Sequence, residues 1–229
     1  FWIAGRLRDR IQNQLEKRNF DPTLGRFFAN MVRYGILTGA ILGLLGVFGV
    51  QTASFAAVIA AAGLAIGLAF QGSLSNFASG VMLLVFRPFK VGDLIKVAGE
   101  TGFVEAIDLF TIEMRTVDNR KIIVPNGRVF GANIDNFTHH PVRRVDVDVG
   151  TDYGEDLDKV REVLDKAALT VPGRLEDRGH QIFLKALGGS SIDWQVRVWC
   201  NTPDYWDVYQ ATIRAIKIHL DEADIGIPF

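Results

Sequence analysis

Leu64 and Leu68 stand four residues apart, so on a helix they share one face, with Ala60 one turn before them. Gly63 and Gly67 form a GxxxG pair on one flank of that face, and Ala57, Ala61, Ala65 and Ala69 recur every fourth residue on the other. The function open to such a row is physical rather than catalytic. Where several copies converge on an axis, rings of leucine make a narrow apolar constriction in which a water column is unstable, and ions are stopped without any charged group. Small residues on both flanks let each copy approach two neighbours closely. The same pattern serves a small-xxx-small bundle contact with the leucines facing lipid, and spacing alone leaves that alternative open.

Groupings that could do bond chemistry are poor by comparison. The histidines, His139, His140, His180 and His219, are scattered, and the one adjacent pair would point oppositely on an extended chain, which argues against a shared metal. Asp146 with Asp148, and the acidic residues of 152–158, read as a solvated face. Gly188-Gly189 lacks the strand-then-helix setting of a phosphate loop and reads as a hairpin turn. The chain is therefore not expected to be an enzyme, and no cofactor or metal is expected. Its net charge is -1, and its basic residues cluster beside an apolar stretch, so no nucleic-acid partner is implied. A lone cysteine, Cys200, permits no intrachain disulfide and suits a reducing compartment.

From Tyr34 to Phe86 there is no Asp, Glu, Lys, Arg or His, and the mean hydropathy of the whole chain is positive at +0.17. One membrane crossing needs about 20 apolar residues, so this stretch holds two spans and is too long for a buried helix pair of a soluble core. The first span is placed at 27–50. The second, a candidate pore-lining helix over 55–87, is expected to be interrupted at Gln71-Gly72-Ser73, with Gly72 as the natural break point. Arg6, Arg8, Arg10, Lys17, Arg18, Arg26 and Arg33 precede the first span; Arg87, Lys90 and Lys96 follow the second; Gln51-Thr52-Ala53-Ser54 between them is uncharged. The positive-inside rule puts both flanks in the cytoplasm and the linker outside, the topology of a multi-pass membrane protein. Arg87 and Lys90 are candidates for holding the helix end at the lipid headgroups and coupling it to cytoplasmic groups. Residues 1–26 show no cleavable signal pattern. They read as the end of an earlier span and an amphipathic helix over 5–26 (Leu7, Ile11, Leu15), with a turn at Asp21-Pro22.

Beyond Pro88 the texture is soluble. Leu94 to Val97, Gly102 to Ile107, Phe110 to Arg115, Lys121 to Pro125 and Ile134 to Phe137 are short β-rich runs punctuated by Gly99, Asp118-Asn119 and Asn126-Gly127, giving a small five-stranded β domain over 88–140. Over 141–229 a strand at 144–149, a helix at 156–169, a hairpin of 181–187 with 192–200 and a last helix at 204–223 give a β-α-β-β-α order, an α+β, ferredoxin-like unit.

GLAIGLAFQGSLSNFASGVMLLVFRPFKVGD (Gly63 to Asp93) resembles the pore helix and linker of the small-conductance mechanosensitive channel (MscS) family. VRYGI near Val32, VQTAS at Val50 to Ser54, PNG at Pro125 to Gly127, and NFT with PVRR from Asn136 to Arg144 extend the similarity along nearly the whole chain. The resemblance implies a homo-oligomer, a heptamer, around a pore helix kinked at glycine, with a Sm-like β domain and an α/β domain forming a cytoplasmic chamber. It places the family's gate leucines on Leu64 and Leu68, its packing glycines on Gly63 and Gly67, and its hinge on Gly72, with the second half of the pore helix interfacial. The implied function is tension-opened release of ions and small osmolytes on hypo-osmotic shock; membrane lipids are the implied surroundings. An amino-acid exporter of the same family, or a membrane-anchored scaffold, are the alternatives. Lys90 stands where the family carries arginine and Phe70 where leucine is common. The family's first helix and its last β-strand are expected to lie outside this sequence.

Overall fold

A computed structural model describes residues 5–6 and 21–228. The amphipathic helix expected over 5–26 falls mainly on 7–20, outside the described residues. Helix α1 (Pro22–Val47) begins earlier than 27 because Asp21 caps it: its carboxylate accepts from the backbone N–H of Thr23 (2.8 Å) and of Leu24 (3.2 Å), and Pro22 occupies the first helical position. After Gly49, whose φ of 77° suits glycine, α2 (Ala53–Phe86) runs for 34 residues. The interruption expected at Gln71-Gly72-Ser73 does not break it; helical structure continues through all three residues. Both helices are long and apolar enough to cross a membrane.

The chain divides into two compact units after Leu74. That boundary falls within α2, two residues past Gly72. At 1.5 Å per residue α2 is about 51 Å long, against a hydrocarbon core of about 30 Å, whereas Ala53 to Leu74 alone spans about 33 Å. Length therefore allots the first part of α2 to the bilayer and leaves the second part over.

The second unit starts with that remainder. Strands β1 (Leu94–Val97), β2 (Glu100–Ile107), β3 (Thr111–Arg115), β4 (Lys121–Pro125) and β5 (Ile134–Asn136) form one antiparallel sheet in the order β4-β3-β2-β1-β5. The β1–β2 turn has positive φ at both Ala98 and Gly99, the geometry a two-residue hairpin needs to match strand twist. Leu83 of α2 joins Phe89, Ile95, Val97, Val104, Ile112, Met114, Val124 and Val129 in the core of this sheet. Asn126-Gly127, which punctuates the chain between β4 and β5, opens a short helix, α3 (Asn126–Phe130).

The α+β part follows the expected order: β6 (Val142–Thr151), α4 (Leu157–Leu169), β7 (His180–Leu187), β8 (Ile192–Asn201) and α5 (Tyr205–Glu222), with the sheet ordered β6-β8-β7. Alternation in β8 buries Ile192, Trp194, Val196, Val198 and Cys200 against α4 and α5, and the buried Trp194 Nε1–H donates to Thr151 Oγ1 at 3.1 Å. The other face is a ladder of paired charges. Arg144 bonds Asp146 through both Nε and Nη2, and Lys185 with Gln195 holds Asp148. Gly188 lies in the β7–β8 turn, its N–H donating to Ser191 O at 2.7 Å. His139 and His140 depart from the expected opposite orientation: residues 137–140 bend, and the two rings meet edge to face at 4.8 Å. Among the described residues no group of three or more His, Cys, Asp or Glu could hold a metal ion.

Candidate functional site

The leucine row lies wholly on the first part of α2. Leu64 and Leu68 are 66% and 62% exposed, Ala57, Ala61 and Ala65 are exposed, and a Cβ added to Gly63, Gly67 or Gly72 would meet nothing within 4 Å. Ile59, Ile66 and Phe70, on the other side of the helix, are exposed too. A helix segment apolar and exposed on every face among the described residues requires lipid, other chains, or both.

The second part of α2 is built differently, because one face of it is docked. Asn76, Gly80 and Leu83 follow each other at helical spacing. Asn76 Oδ1 accepts from the Gly127 N–H at 2.8 Å, and Phe77 lies 6.0 Å from the Phe110 ring. Gly80 is buried so closely that an added Cβ would overlap Asn126 Nδ2 and stand 2.5 Å from the Leu109 carbonyl oxygen. Asn126, itself fully buried, donates through Nδ2 to Asp108 O at 2.9 Å, while its Oδ1 has no partner among the described residues. These contacts were not anticipated from sequence. The nearest signal was the helical spacing of Asn76 and Gly80 and the polar Asn126-Gly127 pair, and neither discloses its partner without the fold.

Arg87 and Lys90 sit just past the end of α2. Arg87 adopts a left-handed φ of 48°, an uncommon conformation for a side chain larger than glycine's, and its Nε–H donates to Leu84 O at 3.2 Å. The Lys90 N–H donates to Asp93 Oδ2 at 2.9 Å, and Asp93 also accepts from Asn136 Nδ2 (2.8 Å) and Thr138 Oγ1 (3.3 Å). Burial pushes the Asp93 carboxyl up, but these hydrogen bonds and the Lys90 charge outweigh it and hold the group below its ordinary value. A depressed folded-state pKa gives stability that is present above the unfolded value, about 3.9, and is lost as pH falls through the folded one. Thermal unfolding of the β domain should therefore move to lower temperature on acidification below about pH 4, and Asp93→Asn should flatten that dependence while lowering the melting temperature at neutral pH. Equal slopes for the two proteins would remove Asp93 from this account.

Two helices long and apolar enough to cross a membrane, the second docked at its far end on a five-stranded β domain that an α+β domain follows, make the architecture of a membrane protein with a large part outside the bilayer. Three family descriptions match consecutive parts of the chain: mechanosensitive ion channel transmembrane helices 2/3 over 30–71, mechanosensitive ion channel beta-domain over 72–139, and mechanosensitive ion channel MscS C-terminal over 145–227. The chain belongs to the MscS family of mechanosensitive channels. It is 46% identical to the small-conductance mechanosensitive channel of Edwardsiella ictaluri over 94% of this chain and 75% of that one. The closed-state crystal structure of Helicobacter pylori MscS superposes with a TM-score of 0.93 at 32% identity, covering 100% of this chain and 90% of that one. Arabidopsis thaliana MSL1, at 16% identity and a TM-score of 0.82 over 99% of this chain and 83% of its own, shares the fold.

Proposed function

We infer that the chain is one subunit of a homo-oligomeric pore, a heptamer by family resemblance, that tension in the bilayer opens to release ions and small osmolytes when external osmolarity falls. The observation that carries this reading is the charge-free leucine row of α2, flanked on both sides by small residues and left exposed among the described residues. In a closed ring the glycine flank of one copy (Gly63, Gly67) packs on the alanine flank of the next (Ala57, Ala61, Ala65), and Leu64 and Leu68 close the axis as two apolar rings.

Opening enlarges the area the ring occupies in the membrane plane. Tension multiplied by that area change favours the open state, as a ligand favours the state it binds better. Small flanks let neighbouring helices slide without disengaging bulky side chains. Gly72, close to the boundary between the units, is the hinge at which the first part of α2 tilts while the second stays fixed to the β domain. Arg87 and Lys90 hold the end of α2 at the cytoplasmic headgroup level of the inner membrane, with the β and α+β domains in the cytoplasm.

Expression in bacteria lacking their own mechanosensitive channels tests the reading. The full-length protein should restore survival on dilution, and Gly67→Leu should abolish it at equal surface expression and equal growth before shock, because a bulky side chain jams the packed flank. Normal membrane insertion with no protection and no suction-activated current would rule the tension valve out.

A further inference from the structure

Between the five-stranded sheet and the α+β part of the second unit lies a cavity of about 800 Å³ that the gating account does not use. Phe103, Tyr205 and Trp206 supply its aromatic wall, and Arg143 and Asp204 bring one charge of each sign. Trp206 is 63% exposed and meets Tyr205 edge to face at 5.1 Å. The Arg143 guanidinium lies 3.9 Å from the centre of the Tyr205 ring and 5.3 Å from that of Phe137. These two aromatic contacts hold the Arg143 side chain at the cavity wall. Neither Arg143 nor Asp204 forms an ion pair or a side-chain hydrogen bond among the described residues, and Asp204 leaves the start of α5 uncapped by its carboxylate.

Opposite charges that share a cavity ordinarily pair with each other. Here they stand apart, with aromatic faces in the same wall. We propose that this cavity binds a small zwitterion carrying a carboxylate and a methylated ammonium group. The ligand carboxylate takes the N–H edge of Arg143, whose planar fork matches it. The ammonium group, which cannot donate hydrogen bonds when fully methylated, lies against the exposed Trp206 ring and is balanced by Asp204, while Phe103, already under the Arg115 guanidinium at 5.4 Å, closes the apolar wall. The volume lies within the ordinary range for ligand pockets and leaves room for water around so small a solute. Occupancy bridges the two cytoplasmic domains, so the channel would sense the class of solute that it is proposed above to release; that link rests on the proposed function, whereas the binding itself does not.

Binding is measured on the purified full-length oligomer in lipid nanodiscs, without tension, by fluorescence of Trp206 with glycine betaine as probe. The expected result is a saturable change with a millimolar dissociation constant, abolished as a signal by Trp206→Phe. Choline and acetate, each with half of the probe's chemistry, should bind about tenfold more weakly or worse. Arg143→Gln and Asp204→Asn should each weaken betaine by a similar factor, with size-exclusion profile and circular dichroism unchanged; equilibrium dialysis with labelled betaine provides the same readout without relying on Trp206. A non-saturable change matched by trehalose at equal osmolality, or a dissociation constant indifferent to both charge-removing variants, overturns the proposal whatever the channel does under suction.

Discussion

Leu68→Ser should raise the resting leak and lower the suction at which current begins in membrane patches, with Leu64→Ser acting in the same direction. In the proposed ring each substitution removes about 2 kcal/mol of apolar burial per subunit where leucines would meet, and a polar hydroxyl would stabilise water in the constriction they would form. A ring repeats the change once per subunit, so the effect should be among the largest any single substitution in α2 can give. Ile66→Ser is the control, since Ile66 is equally exposed in the subunit but lies on the other side of the helix. It should leave the leak unchanged. Unaltered threshold and leak in both leucine variants would show that these side chains do not face the axis.

Gly80→Ala should detach the second part of α2 from the β domain. Two effects oppose each other. Replacing glycine within a helix gains about 1 kcal/mol of helix propensity. Against this, the new methyl stands 2.5 Å from the Leu109 carbonyl oxygen, a backbone atom that cannot swing aside, and overpacking of that kind costs about 1–3 kcal/mol. The clash wins, because it forces the Asn76 to Gly127 hydrogen bond and the Leu83 contacts to yield together. Hydrogen exchange of the Gly127 amide should quicken about tenfold, the melting temperature should fall, and closing after a pressure pulse should be disturbed. Gly72→Ala provides the contrast, since an added methyl there meets nothing and only the propensity gain remains; it should stiffen the helix and alter closing while Gly127 exchange stays normal. If Gly80→Ala exchanges at Gly127 like the unsubstituted protein, the close docking of α2 is not what fixes its second part.

Much of the architecture was legible because local pattern and tertiary role coincide. The charge-free stretch announces the apolar helices, and the alternation of Ile192, Trp194, Val196 and Val198 announces a strand with one buried face. The leucine row was legible as a pattern, though what it faces is a property of an assembly and not of one chain. Legibility failed where a long-range contact overrides a local preference. Asn-Gly favours a turn by itself, yet Asn126 is drawn into a buried helix start by its bonds to Asp108 and Phe110, and Gly127 is claimed by Asn76, 51 residues earlier. Gly72 between Gln71 and Ser73 favours a helix break, yet helical structure continues through all three. His139 and His140 were assigned opposite directions on the assumption of an extended chain, which the bend before Pro141 removes. The early start of α1 was present in Asp21-Pro22, a cap and first-turn pair that also reads as a turn.

The strand order β6-β8-β7 bears on how the protein is made. β8 is the middle strand, paired to β6 from Val142↔Asn201 to Thr151↔Ile192 and to β7 on its other side, while β6 and β7 do not pair with each other. As the chain emerges from the ribosome, the five-stranded sheet is a near-continuous meander whose contacts are mostly local, so it can close as soon as β5 is clear. The three-stranded sheet has no such early stage. Until the segment through Asn201 has been synthesised, β6 and β7 wait with unsatisfied backbone edges and an uncovered apolar face, and this interval is when a nascent subunit is most exposed to mispairing with another still being translated beside it.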